Sequence, residues 1–351
     1  MNATKKTASK KFKLPRWRRP SWKQIRHLIY ALLLGILAYI ILSLIYFQFR
    51  PLNLGYLNVP SGPVKDFAEA DRRAKLLVAA DEKNPDLNPD CHYRYLSQNK
   101  PVERVLVIRH GLTNCPRQFD KLADEYYKAG YAVLITRIPK HGLRDRTSLE
   151  PAKLSAEETM IDLNRSLDIA QGLGKKVDVM GLSVGGNEVA LAAYQRGDID
   201  QAIMINSLFS PKAVPTSLTR MATGGLLTIP NIFIWWDSKA KTELTGPTSV
   251  YYGFFTRPVG EYLRLTAALQ DKPRDKPKAR KLVMITNDND GAVNNNVADG
   301  FISQWRKTGA NVVDYRFPKS DGLNHDLIDP LQPDANTVIS YPKILELTTQ
   351  P

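Results

Sequence analysis

Residues 177–195, VDVMGLSVGGNEVALAAYQ, decide the fold of this 351-residue chain. A short apolar run rich in β-branched residues passes within a few residues into a helical run. Between them, Gly181-Leu-Ser183-Val-Gly185 matches G-x-S-x-G, the pattern of a serine on a sharp strand-to-helix turn. Gly181, Gly185 and Gly186 allow neighbouring backbone to approach without a Cβ clash. The alternative is a tight turn whose serine does no chemistry.

Strands and helices alternate on both sides of this turn. Strands are predicted at 104–109, 131–137, 177–182, 202–206, 281–286 and 312–317. Helices are predicted at 119–129, 155–171, 187–195 and 297–308, the second of them opened by a capping box of Ser155 and Glu158. Short apolar strands that alternate with amphipathic helices predict an α/β protein with a mostly parallel sheet, covered by helices on both faces.

The alternation is interrupted between the two predicted core segments, 101–206 and 276–351. The interruption, 207–275, predicts a cap insertion over one end of the sheet, and its aromatic side chains either face a substrate or pack on one another. These aromatics are Phe209, Phe233, Trp235, Trp236, Tyr251, Tyr252, Phe254, Phe255 and Tyr262. Residues 50–100, rich in Pro, Asn and Asp, are interpreted as a stalk and lead-in with a helix near 66–80.

The net charge of +14 is concentrated in the N-terminal tail. Residues 1–27 carry ten Lys and Arg and no acidic residue, so we do not expect a nucleic-acid-binding surface. The twenty residues 28–47 contain no charge, and a helix of that length spans about 30 Å, the thickness of the bilayer hydrocarbon. The sequence predicts an uncleaved transmembrane signal-anchor at 28–49. The alternatives are a buried core helix and a cleaved signal peptide.

The charge asymmetry also predicts the topology. Because basic flanks stay in the cytoplasm, residues 1–27 are expected inside and residues 50–351 across the membrane. The glycosylation sequon at Asn164 lies in a predicted helix, and no other strong eukaryotic sign appears; a bacterial inner membrane with a periplasmic domain is therefore favoured. Cys91 and Cys115 fit an oxidising compartment, where a disulfide between them would contribute about 3 kcal/mol. The alternative is two unrelated thiols.

A nucleophilic serine needs a base, and the base needs an acid that orients it. The five histidines are His27, His92, His110, His141 and His325. Only His325 follows Ser183, as the order serine, acid, histidine requires. The acid is expected after the preceding strand, where Asp288 and Asp290 both stand, and Asp290 is preferred for its D-x-x-V spacing.

The oxyanion of an acyl-transfer reaction needs two backbone N–H donors. The amide of Val184 follows the serine and is the first expected donor. The second is expected from the loop after the first core strand, RHGLT, where Gly111 permits the turn and the amide of Leu112 is the natural donor. Arg109 places a charge beside this loop.

His110 is expected to shape this loop by hydrogen bonding, and His141 to be structural or to face the substrate. A metal site made of these histidines and the loop around Asp290 is the alternative, but no ligand spacing supports it. Neither a metal nor an organic cofactor is expected.

Taken together, these motifs resemble an α/β-hydrolase of the carboxylesterase and monoacylglycerol-lipase-like group. The similarity covers residues 90–340 apart from the cap, and it departs from the usual P-G-H-G in Pro139-Lys-His-Gly142. It implies the α/β-hydrolase fold and a serine hydrolase acting on a small-molecule or lipid ester. Alternatives are an acyltransferase or thioesterase on the same fold, and a catalytically silent binding or scaffold domain. The sequence does not indicate an oligomeric state.

Overall fold

A seven-stranded sheet forms the centre of residues 47–351. The protein is described here from a computed structural model, which covers residues 21–236, 242, 247–272, 274–332 and 335–349. Residues 1–20 of the predicted tail, and 237–241, 243–246 and 273 of the predicted cap, lie outside the described residues.

The strands of the sheet are β1 (Arg94–Leu96), β2 (Val102–Arg109), β3 (Ala132–Thr136), β4 (Gly174–Leu182), β5 (Ile199–Ile205), β8 (Lys281–Asn287) and β9 (Val312–Phe317). Their order across the sheet is β1-β3-β2-β4-β5-β8-β9. All neighbouring pairs are parallel except β1 with β3. The predicted mostly parallel sheet is therefore confirmed, and the carboxyl ends of its parallel strands share one edge.

Helices cover both faces of the sheet, as predicted. In sequence order they are α2 (Phe67–Glu82), α3 (Asp120–Lys128), α4 (Ala156–Leu173), α5 (Val184–Gln195), α6 (Thr219–Thr228), α7 (Thr256–Gln270), α8 (Asn295–Lys307) and α9 (Thr337–Thr349). The capping box at the start of α4 is formed: Ser155 and Glu158 each bond the other's backbone N–H.

Alternation along the strands divides the core into two apolar clusters. In β2, Val105 and Val107 face the larger cluster, which includes residues of α4 and α5, whereas Leu106 and Ile108 face the cluster that includes α3 and α9. This follows from the two-residue period of a strand, which sends successive side chains to opposite faces.

The segment interpreted as a stalk packs on the core instead. Helix α2 lies so close to α4 that a Cβ built on Gly172 would stand 2.7 Å from the Cβ of Ala70. The backbone N–H of Val64 donates to Asp168 O at 2.9 Å, and β1 extends the sheet beyond β3. Since Ala70, Ala74 and Leu77 are buried, this segment belongs to the hydrophobic core.

Between β5 and β8 lie α6, α7 and a two-stranded hairpin of β6 (Phe233–Trp235) and β7 (Gly253–Phe255). Its aromatic rings pack on one another: Phe233 lies 5.3 Å from Trp235 and 5.0 Å from Phe255, centroid to centroid. These are the offset or edge-on distances that aromatic pairs prefer.

The N-terminal helix α1 (Trp22–Phe49) has 28 residues, none of them buried. At 1.5 Å per residue it is about 42 Å long. Among the described helices it alone is long and apolar enough to cross a membrane. It begins six residues before the uncharged run.

Candidate active site

Ser183 stands on a sharp turn between β4 and α5. Its backbone has φ 56° and ψ −117°, an uncommon conformation for a residue with a side chain, and such strain is typical of a nucleophile elbow. A Cβ built on Gly181 would lie 2.3 Å from the carbonyl of Gly185, and one built on Gly185 would lie 2.6 Å from Arg109 O. Only glycine fits at these two positions, so the G-x-S-x-G pattern follows from the geometry of the turn.

His325 and Asp290 meet at the same edge of the sheet. His325 Nδ1 lies 2.7 Å from Asp290 Oδ2, and the second carboxylate oxygen accepts the backbone N–H groups of Ala292 and Val293 at 2.7 and 3.1 Å. The Asp290 side chain is fully buried, whereas that of His325 is 24% exposed. The Asp290 side chain is thus held in place, and it meets the imidazole with one oxygen.

This pairing shifts the pKa of both groups in the direction that favours an ion pair. Burial lowers the pKa of His325, but the hydrogen bond and charge of Asp290 outweigh it, so the pKa lies above its ordinary value. Burial raises the pKa of Asp290, but the hydrogen bond from His325 and the two backbone donors bring it below its ordinary value. The ionised Asp290 carboxylate can only accept a hydrogen bond, so in the neutral imidazole Nδ1 carries the proton and Nε2 is left to accept one.

Asp288, the other sequence candidate, turns away from the histidine. Its carboxylate lies 3.6 Å from the guanidinium of Arg316, and its side chain is 48% exposed. The structure brings Asp290 and not Asp288 to His325.

Two asparagines that the sequence analysis did not single out hold the loop of His325, residues 318–329, here called the base loop. Asn206 follows β5 and donates through Nδ2 to His325 O at 2.8 Å. Asn287 ends β8 and donates to Leu323 O at 2.6 Å. The backbone N–H of Ser183 bonds to Ile205 O, next to Asn206, so the strand ends bring the elbow and the base loop together. In the sequence, these asparagines could have been found only from their positions at the carboxyl ends of two strands.

Residues 110–115 follow β2 and are here called the oxyanion loop. His110 is wholly buried: its Nε2 accepts the N–H of Ile138 at 2.9 Å, and its Nδ1 donates to Gly111 O at 2.8 Å. Burial lowers its pKa well below the ordinary value, so the ring is neutral and satisfied. The amide of Gly111 donates to Gln118 Oε1 at 2.8 Å, which leaves Leu112 as the next amide of the loop. Val184 opens α5, and first-turn amides have no acceptor within their own helix.

Comparison with known proteins identifies the architecture, although no family model matches the chain. Among solved structures it resembles one from LipS and LipT, two metagenome-derived lipolytic enzymes (19% identity, 74% of this chain and 98% of that one, TM-score 0.54). It also resembles a soluble variant of monoglyceride lipase from Saccharomyces cerevisiae (18%, 73% and 90%, 0.54) and the monoacylglycerol lipase of Paleococcus ferrophilus (16%, 73% and 97%, 0.53). The chain has the α/β-hydrolase fold.

One curated relative matches part of this chain. It is 30% identical over 129 residues to the thermostable monoacylglycerol lipase of Bacillus sp. strain H-257. The match covers 36% of this chain and 48% of that enzyme, so the chain spans about half the length of this relative.

The charge of Arg109, which was expected beside the oxyanion loop, points away from that loop. Arg109 shares the strand face of Val105 and Val107, so its wholly buried guanidinium extends under α4 and α5. It pairs with Glu188 and with Asp162, each at 2.6 Å. These pairs neutralise the charge and join β2, α4 and α5 beneath the elbow.

The predicted cysteine pair also anchors the oxyanion loop. The Sγ atoms of Cys91 and Cys115 lie at bonding distance, 2.09 Å, with their Cα atoms 5.2 Å apart. The bond ties the end of this loop to the segment before β1.

The β6–β7 hairpin and the residues next to it close over the oxyanion loop. The N–H of Tyr251 donates to Thr113 O at 2.8 Å, and Trp236 Nε1 donates to Thr113 Oγ1 at 3.0 Å. Leu112, Thr113 and His141 line a gap against the hairpin of about 10 Å³, room for roughly one water. His141 is wholly buried, and burial lowers its pKa to about 4. No group of three or more potential metal ligands occurs among the described residues.

Proposed function

We propose that this α/β-hydrolase is a membrane-anchored serine hydrolase that cleaves carboxylic esters. Ser183 is the nucleophile, His325 the general base and Asp290 the acid that orients the base. The observation that carries the proposal is the hydrogen bond of 2.7 Å between Asp290 and His325 at the strand edge that also presents the strained elbow of Ser183.

In the proposed reaction, Ser183 Oγ attacks the ester carbonyl while its proton passes to His325 Nε2. The amides of Leu112 and Val184 bind the resulting oxyanion. The tetrahedral intermediate collapses, the alcohol leaves with the proton from His325, and an acyl-enzyme remains. Water, deprotonated by His325, then attacks the acyl carbonyl, and the acid is released as His325 returns the proton to Ser183 Oγ. No metal or organic cofactor enters any step.

The substrate class is proposed as a small-molecule or lipid ester. Support comes from the relatives described as lipolytic enzymes and monoacylglycerol lipases. Acyl transfer or thioester cleavage on the same fold, and a silent scaffold, are the alternatives. With p-nitrophenyl esters of graded chain length, the full-length protein in detergent micelles is expected to release p-nitrophenol. If the protein hydrolyses no member of the series, the ester assignment is contradicted.

We further propose that residues 28–49 anchor the protein, with the tail in the cytoplasm and the hydrolase domain across a bacterial inner membrane. Moving the tail across the bilayer would carry ten cations, and each costs about 2.5–3.5 kcal/mol at the bilayer centre. The cysteine pair supports an oxidising compartment.

The topology predicts the behaviour of C-terminal fusions. Alkaline phosphatase fused to the C-terminus is expected to be active, because it needs an oxidising compartment to form its disulfides. A fluorescent protein that matures only in the cytoplasm should stay dark at the same position. The reverse pair of results would place the hydrolase domain in the cytoplasm.

A further inference from the structure

The Gln118 side chain lies between the two loops that carry the proposed chemistry. It belongs to the short 3₁₀ turn Pro116–Phe119 that follows the oxyanion loop, and it is 2% exposed. Its Oε1 accepts the N–H of Gly111 at 2.8 Å, and its Nε2 donates to Asp326 Oδ2 at 2.7 Å. One carboxamide thus joins the residue before Leu112 to the residue after His325.

Asp326 is held as firmly as Gln118. Its other oxygen, Oδ1, accepts the backbone N–H groups of Ile328 and Asp329 at 3.2 and 3.1 Å, which fixes the turn of the base loop after His325. Two longer contacts of 3.4 Å reach Oδ2 from Asn114 and Gln332. Every one of these partners is a donor, and a carboxylate with both oxygens accepting matches them.

We propose that Gln118 is a positioning residue, which couples the oxyanion loop to the base loop and so holds the Leu112 amide and His325 in one arrangement. This inference rests on the proposed function. The physical reason is that the buried side-chain amide of Gln118 accepts a hydrogen bond from one loop and donates a hydrogen bond to the other. If either loop shifted, a buried polar group would lose its partner. Oxyanion donors act only when they are fixed at the place where charge develops.

The ionic surroundings of the link are defined. The charge of His325 acts on Asp326, the charge of Arg117 acts on the neighbouring Asp329, and both carboxylates help to raise the pKa of Tyr341. Burial raises the pKa of Asp326, and its charge in turn helps to raise the pKa of His325. A substitution of Gln118 that places a charge next to Asp326 is therefore expected to change kcat by a factor that depends on pH.

Gln118→Glu tests the donor half of the link. The new side chain still has an oxygen for the Gly111 amide, but a second carboxylate now faces Asp326. We expect kcat for a p-nitrophenyl ester to fall about 10- to 100-fold at neutral pH, with KM changed by less than about threefold because substrate contacts remain. The ratio of variant kcat to wild-type kcat should rise as the pH falls, because two close carboxylates then share a proton and restore a hydrogen bond.

The double variant Gln118→Glu/Asp326→Asn reverses the polarity of the bond. The asparagine amide then donates to the introduced carboxylate, so most of the lost kcat should return at neutral pH.

Gln304→Glu is the matched control. Gln304 lies on α8 and donates hydrogen bonds of 3.4 and 3.3 Å to Tyr194 and Lys272, and wild-type activity is expected. All variants are compared as full-length protein in detergent micelles, with thermal melting as the check of folding.

Gln118→Met serves if the charged variant does not fold. It removes both bonds without adding a charge, and kcat should fall by a factor that does not change with pH. Wild-type kcat in either folded single variant, or a Gln118→Glu loss that Asp326→Asn does not restore, would overturn the coupling. These outcomes differ from failure of the proposed function, in which the wild-type protein itself hydrolyses no ester or does so without Ser183.

Discussion

Ser183→Ala is expected to lower kcat for ester hydrolysis by about a millionfold, the scale seen when the nucleophile of a serine hydrolase is removed. Without Oγ no acyl-enzyme forms, and only the oxyanion donors and substrate binding remain. The fold should be unaffected, because alanine accepts the same backbone conformation at φ 56° as serine does. The measurement is p-nitrophenyl ester hydrolysis together with a thermal melt of each protein.

Ser166→Ala is the matched control. Ser166 is also a buried serine, but it lies on α4 and its hydroxyl bonds to Asp162 O at 3.0 Å. This variant should keep wild-type turnover. Turnover close to wild type in Ser183→Ala would remove the nucleophile from the mechanism.

Asp290→Asn is expected to lower kcat by about ten-thousand-fold. The amide would present an NH₂ group or a neutral oxygen to His325 Nδ1, so the imidazole loses the charge that favours its protonated form and the bond that fixes its tautomer. The acid limb of the kcat/KM profile should also move to lower pH, because the Asp290 charge and hydrogen bond raise the pKa of His325. Steady-state kinetics over a pH series measures both effects.

Asp288→Asn is the control in the same loop, and it should lose less than about tenfold, since Asp288 is half exposed and lies 3.6 Å from Arg316. If Asp288→Asn is the more damaging change, Asp288 is the orienting acid, and the roles of Ser183 and His325 are unaffected.

The main elements of the fold could be predicted from the sequence because their signals are local. The strand at 312–317 and the turn at Ser183 each depend on a few neighbouring residues, and the observed elements agree with them. The order of serine, acid and histidine likewise follows from the connectivity of the fold, and it restricts the candidate base to His325.

The remaining features depend on contacts between distant parts of the chain. Strand β1 is three residues long, and only its pairing with β3 makes it a strand. The direction of the Arg109 side chain is fixed by the two-residue period of β2, but its partners Glu188 and Asp162 come from two helices 79 and 53 residues away in sequence. The hydrogen bonds of Asn206 and Gln118 to the base loop join residues that are 119 and 208 positions apart in sequence, so no local pattern predicts them.

Labelling with a fluorophosphonate probe tests the central claim, that Ser183 is an activated nucleophile, most directly. Such a probe forms a covalent phosphonyl bond only with a serine whose proton is taken by a base in place. For the full-length protein in detergent micelles, peptide mass spectrometry should find a single adduct, on Ser183, and the Ser183→Ala variant should not be labelled. An unlabelled, folded wild-type protein, or an adduct on another residue, would contradict the account.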